Sequence, residues 1–376
     1  MNALFGIRRI LQGLAQNVEV LPAVGGAVED LERPDIEERE DQRLNRDERV
    51  FETVFERTPD LSRPPLYRFV PPVGRTQEHR FRYFLDGSFR SYFLGTVLEH
   101  ERESPVHFAQ IGACALRREE EGTVRRAEFE VENLLLIGKQ RLSESVWERL
   151  HTLCADADIR TIDIAEHDIF SDAIPDIDLR NKAAGKVRYL MRTLEARLMG
   201  VILAQLPADQ WLIVDGSLLF EPILSQLMAS QAIPSVIGVS KNFRKDPQFV
   251  FGRGPRAERR SIFRLLRDLE PAHRSAAFSA REGKVVFWYV RLREQRHLDY
   301  PLMGVVKVEL ANPSQEPVDS SLIDQISCAL VAERAVAPHG QDRRWHAHLY
   351  PIFLAERAAK ESFLSREVVR QSLQWR

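Results

Sequence analysis

The order of apolar segments from residue 80 onward limits which folds this chain can adopt. Four apolar runs predict early strands, at 80–85, 89–100, 106–117 and 123–137. The polar turn Arg118-Glu119-Glu120-Glu121-Gly122 predicts a hairpin between the third and the fourth. Downstream, helical patterns alternate with short apolar runs that are typical of buried strands. Such an order predicts an α/β protein, with a mixed sheet flanked by helices.

The downstream elements follow from the spacing of apolar residues and from the length of each run. We predict helices at 140–155, 181–206, 219–230, 256–269, 319–335 and 351–373. We predict strands at 211–214, 235–239, 284–293 and 303–309. Three antiparallel strands followed by αβαβα is the order of an RNase H-like fold, and other mixed α/β folds are compatible with it.

Composition sets limits on where the chain works. It has 376 residues, with 53 Lys and Arg against 55 Asp and Glu, so its global charge does not predict a nucleic-acid binder. Three dispersed cysteines predict neither a disulfide framework nor a zinc cluster. No apolar run reaches about 18 residues, and the N-terminus lacks the pattern of a signal peptide. We therefore expect a cytoplasmic protein that does not act in a membrane.

Two near-identical motifs carry the strongest chemical signal. Asp86-Gly87-Ser88 and Asp215-Gly216-Ser217 each follow an apolar run. An Asp at the carboxyl end of a buried strand lies where α/β sheets place their ligands. The Gly lets an ion or phosphate approach the backbone and tolerates a tight turn. One copy alone is more simply a turn, but two copies behind buried strands favour a functional site.

Two neighbouring carboxylates repel each other unless a cation offsets their charge. Their oxygens suit hard cations such as Mg²⁺ or Mn²⁺. A third carboxylate is expected from the helix before the second motif, where Glu195 lies between Leu194 and Leu198. The alternative is that Glu195 faces solvent, as most helical Glu residues do.

Five motifs in a fixed order extend this signal. They are Asp86-Gly87-Ser88, the helical motif Arg192-x-x-Glu195, Asp215-Gly216-Ser217-Leu218, Ile237-Gly238-Val239-Ser240-Lys241, and Tyr350-Pro351-x-x-Leu354. In this order they resemble the motifs of the NurA family of DNA-end-processing nucleases. The resemblance covers roughly residues 80–365.

The resemblance implies an RNase H-like fold and two-metal hydrolysis of DNA with Mn²⁺ (or Mg²⁺). It also implies a homodimer and a partner, a hexameric ATPase of the HerA type that drives DNA into the nuclease. Asp86, Glu195 and Asp215 would be the metal-binding carboxylates. Lys241 would lie near the scissile phosphate, where the alternative is a surface lysine, and Tyr350 would belong to the closing motif.

One position departs from the family pattern. The family's helix after Tyr-Pro carries a His or Asp at the metal site, and here that position is Ala358. Glu356 on the same helix, or His348 just upstream, is the candidate replacement. The departure leaves open a catalytically weak scaffold that binds DNA and the ATPase.

The basic stretch 241–267 predicts a track for DNA. Its cations include Arg244, Lys245, Arg253, Arg256, Arg259 and Arg260, and the phenylalanines between them are Phe243, Phe249, Phe251 and Phe263. Arginines can hold phosphates while aromatic rings stack on the bases of a single strand. The alternative is a helix with core phenylalanines and solvated arginines.

Residues 1–79 are predicted to be a helical and charged extension with a linker, ahead of a nuclease domain at 80–376. Its first helix is apolar on one face, at Leu4, Phe5, Ile7, Ile10, Leu11 and Leu14. We expect that face to dock on a partner subunit or on the ATPase ring, with packing on its own domain as the alternative. The segment 28–50 is dense in charge and predicts a solvated helix or connector.

A phosphotransferase of the actin and sugar-kinase type is a further alternative. That class needs Asp-x-Gly-Thr/Ser before a Gly-rich hairpin and a Gly-Gly adenosine motif, whereas Gly-Gly occurs here at Gly25-Gly26. The chain also lacks a Gly-x-x-x-x-Gly-Lys-Ser/Thr loop, so any ATP-driven step would belong to a partner.

Overall fold

The computed structural model describes residues 2–23, 51–58, 65–74, 79–165, 179–229, 232–243, 248–251, 258–294, 302–335 and 345–373. The strands are β1 (Glu19–Pro22), β2 (Phe51–Thr53), β3 (Glu56–Arg57), β4 (Tyr67–Phe69), β5 (Phe81–Glu99), β6 (Arg102–Arg118), β7 (Val124–Ile137), β8 (Arg160–Asp163), β9 (Trp211–Asp215), β10 (Val236–Ser240), β11 (Gln248–Phe251), β12 (Glu258–Ser261), β13 (His273–Ser275), β14 (Phe278–Ala280), β15 (Val285–Arg291), β16 (Val305–Ala311) and β17 (Val318–Asp319). The helices are α1 (Asn2–Leu14), α2 (Glu144–Ala155), α3 (Leu179–Leu203), α4 (Glu221–Met228), α5 (Ile262–Arg267), α6 (Ser320–Ala332), α7 (Tyr350–Glu361) and α8 (Arg366–Ser372). The predicted α/β architecture, a large mixed sheet flanked by helices, is confirmed.

The large sheet has the strand order β4-β13-β15-β16-β10-β9-β5-β6-β7-β8. Its centre is parallel, because β9 runs in the same direction as both β5 and β10. The pairs on either side, β5 with β6, β6 with β7, and β10 with β16, are antiparallel. The predicted hairpin between β6 and β7 is confirmed, and its turn is closed by hydrogen bonds between Glu119 and Thr123 and between Gly122 and Glu119.

Both faces of the central strands are apolar because helices cover both. Successive residues of a strand point to opposite faces. Phe84 belongs to a core cluster with residues of α6 and α7, such as Ile326 and Ile352. Leu85 belongs to a different cluster, with residues of α3 such as Leu194. Residue 86 therefore faces the side of α7, and residue 87 faces the side of α3.

The first Asp-Gly-Ser motif does not close a strand, contrary to the prediction. The runs predicted at 80–85 and 89–100 form the single strand β5. Its antiparallel partner β6 pairs straight through the motif, with Asp86 opposite Cys114 and Ser88 opposite Gly112. The parallel pairing with β9, in contrast, ends at Leu85. Asp86 consequently lies inside its strand but at the end of the parallel part of the sheet.

The apolar face of the N-terminal helix is buried within this chain. Ile7, Ile10, Leu11 and Leu14 are buried in a core cluster with residues of α2 and α8. The expectation that this face docks on a partner is wrong, and the alternative of packing on the chain's own core is right. Strands of the same extension also join the sheet, β1 beside β5 and β4 beside β13. The boundary at residue 80 stays a prediction, and the segment 28–50 lies outside the described residues.

Two predicted helices differ in detail. The basic helix predicted at 256–269 is strand β12, which pairs with β11, followed by the short helix α5. The closing helix predicted at 351–373 is two helices. Ser365 caps the second, α8, by accepting a hydrogen bond from the backbone N–H of Val368. A capping serine satisfies a free donor at a helix start, which favours a new helix over continuation of α7.

Candidate functional site

Asp86 brings a carboxyl group into the interior of the protein. It is 4% exposed, and its Oδ2 has no hydrogen-bond partner in the described part of the chain. Burial raises the pKa of Asp86 well above its ordinary value, and the negative charges of Asp215 and Glu356 raise it further. Lys241 acts in the opposite direction. The ionised carboxylate is therefore destabilised in these surroundings unless positive charge offsets it.

Asp215 and Lys241 are brought together by the parallel pairing of β9 and β10. Asp215 ends β9 opposite Val239, and Lys241 follows two residues later in the chain. Nζ of Lys241 lies 3.1 Å from Oδ2 of Asp215, and the lysine side chain is 9% exposed. The alternative of a solvated surface lysine is therefore wrong. The same ammonium also acts on the carboxyl groups of Asp86 and Glu356.

Glu195 approaches from the α3 side of the sheet, where Gly87 leaves room for it. A side chain at residue 87 would collide with Oε1 of Glu195 and with Sδ of Met191. The backbone of Gly87 hydrogen-bonds the Glu195 carboxyl group. This glycine was expected to admit an ion or a phosphate, and instead it admits Glu195. The glutamate is 2% exposed, so the alternative of a solvent-facing residue is wrong.

Arg192 is a site residue to which sequence reasoning assigns no role of its own. Burial raises the pKa of Glu195 to about 7, although Arg192 acts to lower it. Nη1 of Arg192 lies 2.5 Å from Oε2 of Glu195. The guanidinium also donates to the main-chain oxygens of Asp215, at 2.9 Å, and Ser217, at 2.7 Å. Arg192 thus links α3 to the turn after β9 by hydrogen bonds. The sequence signal that could have identified Arg192 is its position three residues before Glu195 on the same helix.

Glu309 is a second such residue, and it holds the same turn from β16. It is fully buried, and its Oε2 accepts hydrogen bonds from Oγ of Ser217 and the backbone N–H of Leu218, both at 2.7 Å. Its Oε1 pairs with Nζ of Lys307 at 2.6 Å. Gly216 within the turn has a φ of +89°, a conformation that favours glycine, as expected for this motif. The sequence signal that could have identified Glu309 is its position in a strand, β16, whose other residues are mostly apolar.

Helix α7 contributes a fourth carboxylate, Glu356. Burial favours a higher pKa for Glu356, but the positive charges of Lys241 and Lys360 outweigh it and lower the pKa. Oε1 of Glu356 lies 2.9 Å from Nζ of Lys360. His348 is buried and also acts electrostatically on Glu356. The structure therefore brings both candidate replacements, Glu356 and His348, near the carboxylates.

Two other residues of this region make different contacts. Ala358 packs, partly buried, against the large core cluster. Tyr350 is 53% exposed, and its ring centroid lies 6.5 Å from that of Phe353. The role of Tyr350 stays a prediction.

In the structure, part of the predicted DNA track is buried in the core. Phe243 and Phe249 are buried in a core cluster, so the expectation that they stack on bases is wrong. Phe263 is exposed. Arg259 and Arg260 belong to strand β12. The remaining predicted DNA-binding residues, Arg244, Lys245, Arg253 and Arg256, lie outside the described residues.

Among the described residues, the assembled group has four acids and three cations that contact them: Lys241 just after β10, Arg192 on α3 and Lys360 on α7. Lys241 and Arg192 interact electrostatically with the acids, which are Asp86, Glu195, Asp215 and Glu356. Lys360 forms an ion pair with Glu356. Within the described ranges, no three His, Cys, Asp or Glu side chains already form an arrangement that could hold a metal ion. Lys241 and Arg192 contact two of the acids directly, whereas Oδ2 of Asp86 has no hydrogen-bond partner in the part of the chain that the structure describes. The donor set is one that suits hard cations.

Neither the models of known protein families nor the curated protein sequences match this chain. In the described portion of the chain, no helix combines the length and the apolar character needed to cross a bilayer. Any functional conclusion therefore depends on the geometry and charge of the site itself.

Proposed function

We propose that this protein is a divalent-metal-dependent nuclease that hydrolyses phosphodiester bonds at DNA ends. The observation that carries the proposal is the buried group of acids around Asp86, whose Oδ2 has no partner among the described residues. Burying an excess of carboxylates opposes folding, so such a group points to a ligand that brings positive charge. Carboxylate oxygens favour Mn²⁺ or Mg²⁺ over softer metals.

The strand order supports an RNase H-like core of the NurA type. Three consecutive antiparallel strands, β5 to β7, are followed by α3, β9, α4 and β10. In the sheet, β9 lies beside β5 and β10 beside β9, both parallel to β5. The elements α2 and β8 follow β7, and β11 to β17 separate β10 from the closing helices, as additions to this core.

In this proposal Asp86, Glu195 and Asp215 would hold the metal, as two ions. When bound, such ions lower the pKa of a water molecule and offset charge on the phosphate and the leaving oxygen. The ammonium of Lys241 is placed at Asp215, where a phosphate bound beside the carboxylates would meet it. Arg192 acts as a positioning residue, because it orients Glu195 and the turn at Asp215 together.

The proposed partners are DNA, a second copy of the chain and a hexameric ATPase of the HerA type. The chain has no phosphate-binding loop of the Gly-x-x-x-x-Gly-Lys-Ser/Thr kind, so translocation on DNA would need a separate ATPase. We place this assembly in the cytoplasm, where the free thiols of Cys114, Cys154 and Cys328 would stay reduced.

A catalytically weak scaffold that binds DNA and the ATPase is the second candidate. The contacts of Lys241 with Asp215 and of Arg192 with Glu195 favour it, because these cations already offset charge that a metal would otherwise offset. Ala358, at a position where the NurA pattern has a metal-site residue, favours it as well.

The experiment that separates the two is cleavage of end-labelled linear DNA, single- and double-stranded, with Mn²⁺, Mg²⁺ or EDTA. We expect metal-dependent cleavage, and we expect Asp86→Ala and Asp215→Ala to lower the rate by about 10³-fold, since each removes several kcal/mol of charge stabilisation. Glu121→Gln, in the exposed turn between β6 and β7, is the matched control and should cleave like the wild type.

Two results would contradict the nuclease. Cleavage that survives both Asp substitutions would assign the activity to another site. Folded wild-type protein that cleaves no substrate with either metal, even with a cognate ATPase present, would favour the scaffold.

A further inference from the structure

An exposed aromatic pair lies on the surface next to the carboxylates. Tyr189, on α3, is 49% exposed although it is a large hydrophobic residue. Its ring meets the ring of Phe220 edge-on, with centroids 5.5 Å apart and an angle of 73° between the planes. Phe220 is partly buried and packs against the α3 core cluster. Phe220 therefore holds one edge of the tyrosine ring, while much of the tyrosine remains open to solvent.

Arg192 connects this aromatic pair to the site. Its guanidinium lies 5.6 Å from the centre of the Phe220 ring. The same guanidinium contacts Glu195 and the main-chain oxygen of Asp215. Tyr189 is three residues before Arg192, which places the two about one helical turn apart on neighbouring surface. A molecule bound at the carboxylates could therefore reach the tyrosine ring.

The helix that presents Tyr189 is strongly basic. Over Leu179–Leu203 it has six Lys or Arg residues and a single acid, Glu195. Two of these cations are in ion pairs within the chain, Arg192 with Glu195 and Arg197 with Glu130 and Glu132. The helix keeps a net positive charge, which complements the phosphates of a nucleic acid and disfavours an acidic protein surface as the occupant. An aromatic ring among such cations is the combination by which proteins bind single strands, through phosphate contacts and base stacking.

We propose that Tyr189, supported by Phe220, stacks on a base of single-stranded DNA next to the phosphate at the carboxylate group. The proposal rests on the nuclease function proposed above and specifies its substrate: a strand whose bases are unpaired near the site. Bases inside a duplex are already stacked on their neighbours, so they do not offer a free face to a tyrosine. Tyr189 therefore favours single strands or frayed ends over intact duplex.

The test is equilibrium binding in EDTA, so that cleavage does not enter the readout. The probes are fluorescently labelled oligo(dT), an abasic strand of the same length and charge, and a duplex. The variants are Tyr189→Ala and Tyr189→Trp. Phe69→Ala is the matched control, because Phe69 is 63% exposed, has its ring 5.2 Å from that of His273 in a tilted arrangement, and lies on β4 at the far edge of the sheet.

We expect Tyr189→Ala to weaken oligo(dT) binding by about 5-fold or more, the effect of losing one stacked base. Its binding of the abasic strand should not change, because that strand offers no base. Tyr189→Trp should bind oligo(dT) at least as tightly as the wild type, and Phe69→Ala should bind like the wild type.

The failures are distinguishable. Wild-type binding of oligo(dT) with no loss in Tyr189→Ala would overturn the stacking role and leave the nuclease standing. An equal loss on oligo(dT) and on the abasic strand would also overturn stacking, in favour of a structural effect. A change of oligomeric state in Tyr189→Ala, measured by size-exclusion chromatography with light scattering, would assign the ring to a protein interface instead. Folded wild type that binds none of the probes would overturn the stacking proposal, whereas the nuclease is overturned only by the cleavage experiment described above.

Discussion

Two regions of this protein bury charge, and they do so in opposite ways. In the first, Arg274 of β13 is fully buried with Glu56 of β3 and is paired with Asp324 of α6. Nη2 of Arg274 lies 3.0 Å from Oε2 of Glu56, and its Nε lies 2.6 Å from Oδ1 of Asp324. Arg68 donates to Oδ2 of Asp324, Nη1 of Arg274 donates to Oε1 of Glu56, and Ser320 adds a second hydrogen bond to Oε2 of Glu56. Each acid of this network therefore has a partner of its own.

The carboxylate group around Asp86 lacks that balance. Oδ2 of Asp86 has no hydrogen-bond partner in the described residues, and the pKa of Asp86 is raised by burial and by three neighbouring acids. The pKa of Glu195 is raised as well, despite its contact with Arg192. A balanced network supports the fold, whereas an unbalanced one is retained at the expense of stability. Under the proposed function, the second region is kept because it binds a cation.

The largest expected effect comes from breaking the balanced network. Arg274→Met leaves Glu56 buried without its cation, so we expect it to lower the free energy of unfolding by about 3–5 kcal/mol. Asp86→Asn removes a negative charge from a region with too many, so in EDTA it should unfold at the same or a higher urea concentration than the wild type. Urea denaturation followed by circular dichroism measures both. Equal destabilisation by the two substitutions would erase the contrast between the regions.

A smaller effect concerns the pH dependence of stability. The pKa of Glu195 rises from 4.5 in the unfolded chain to about 7 in the folded protein. The folded state therefore holds a proton that the unfolded state has lost between these values, and wild-type stability falls as the pH rises through this window. The Glu195→Gln side chain does not titrate, so its variant lacks this pH-dependent loss of stability, and the amide oxygen still accepts a hydrogen bond from Arg192. We expect the variant to match the wild type near pH 4 and to exceed it by about 3 kcal/mol above pH 7, in EDTA. A constant difference at all pH values would argue against a raised pKa.

The smallest effect is expected at Lys241. Lys241→Met removes the ammonium next to Asp215 but none of the carboxylates. We expect DNA cleavage to fall by about 10–100-fold, while Mn²⁺ binding is kept or strengthened because a competing cation is gone. Lys241→Arg keeps the charge and should recover part of the rate. Loss of Mn²⁺ binding in Lys241→Met would show that the lysine supports the fold of the site and not the phosphate.

The sequence predicts the parts of this molecule that depend on local pattern. Helix α3 and strands β9 and β10 follow from apolar spacing, and the second Asp-Gly-Ser motif forms the turn expected of it. The motif makes Asp86 a candidate site residue, but its local structure is predicted wrongly: the residue lies inside β5 and not after a strand. Its strand continues because β6 pairs with it, and that partner is set by the tertiary fold and not by the motif.

Other features depend on residues far apart in the chain, and local patterns do not reveal them. Arg274 and Glu56 are separated by 218 positions, and Ser217 and Glu309 by 92. Phe249 lies in a basic stretch, yet its ring packs 4.6 Å from that of Phe278, because burial in the core outweighs the polarity of its neighbours in sequence. The basic residues of α3 can be read from the sequence. The contact of Tyr189 with Phe220, on which the stacking proposal rests, cannot, because it depends on the tertiary fold.

The central claim is that the unbalanced carboxylates bind divalent cations. Its most direct measurement is titration calorimetry of Mn²⁺ into metal-free wild-type protein, Asp86→Asn and, as a control from the balanced region, Asp324→Asn. We predict saturable binding to the wild type and to Asp324→Asn, and a loss of most of that binding in Asp86→Asn. Folded wild-type protein that takes up no Mn²⁺, or Asp86→Asn that binds as well as the wild type, would contradict the claim.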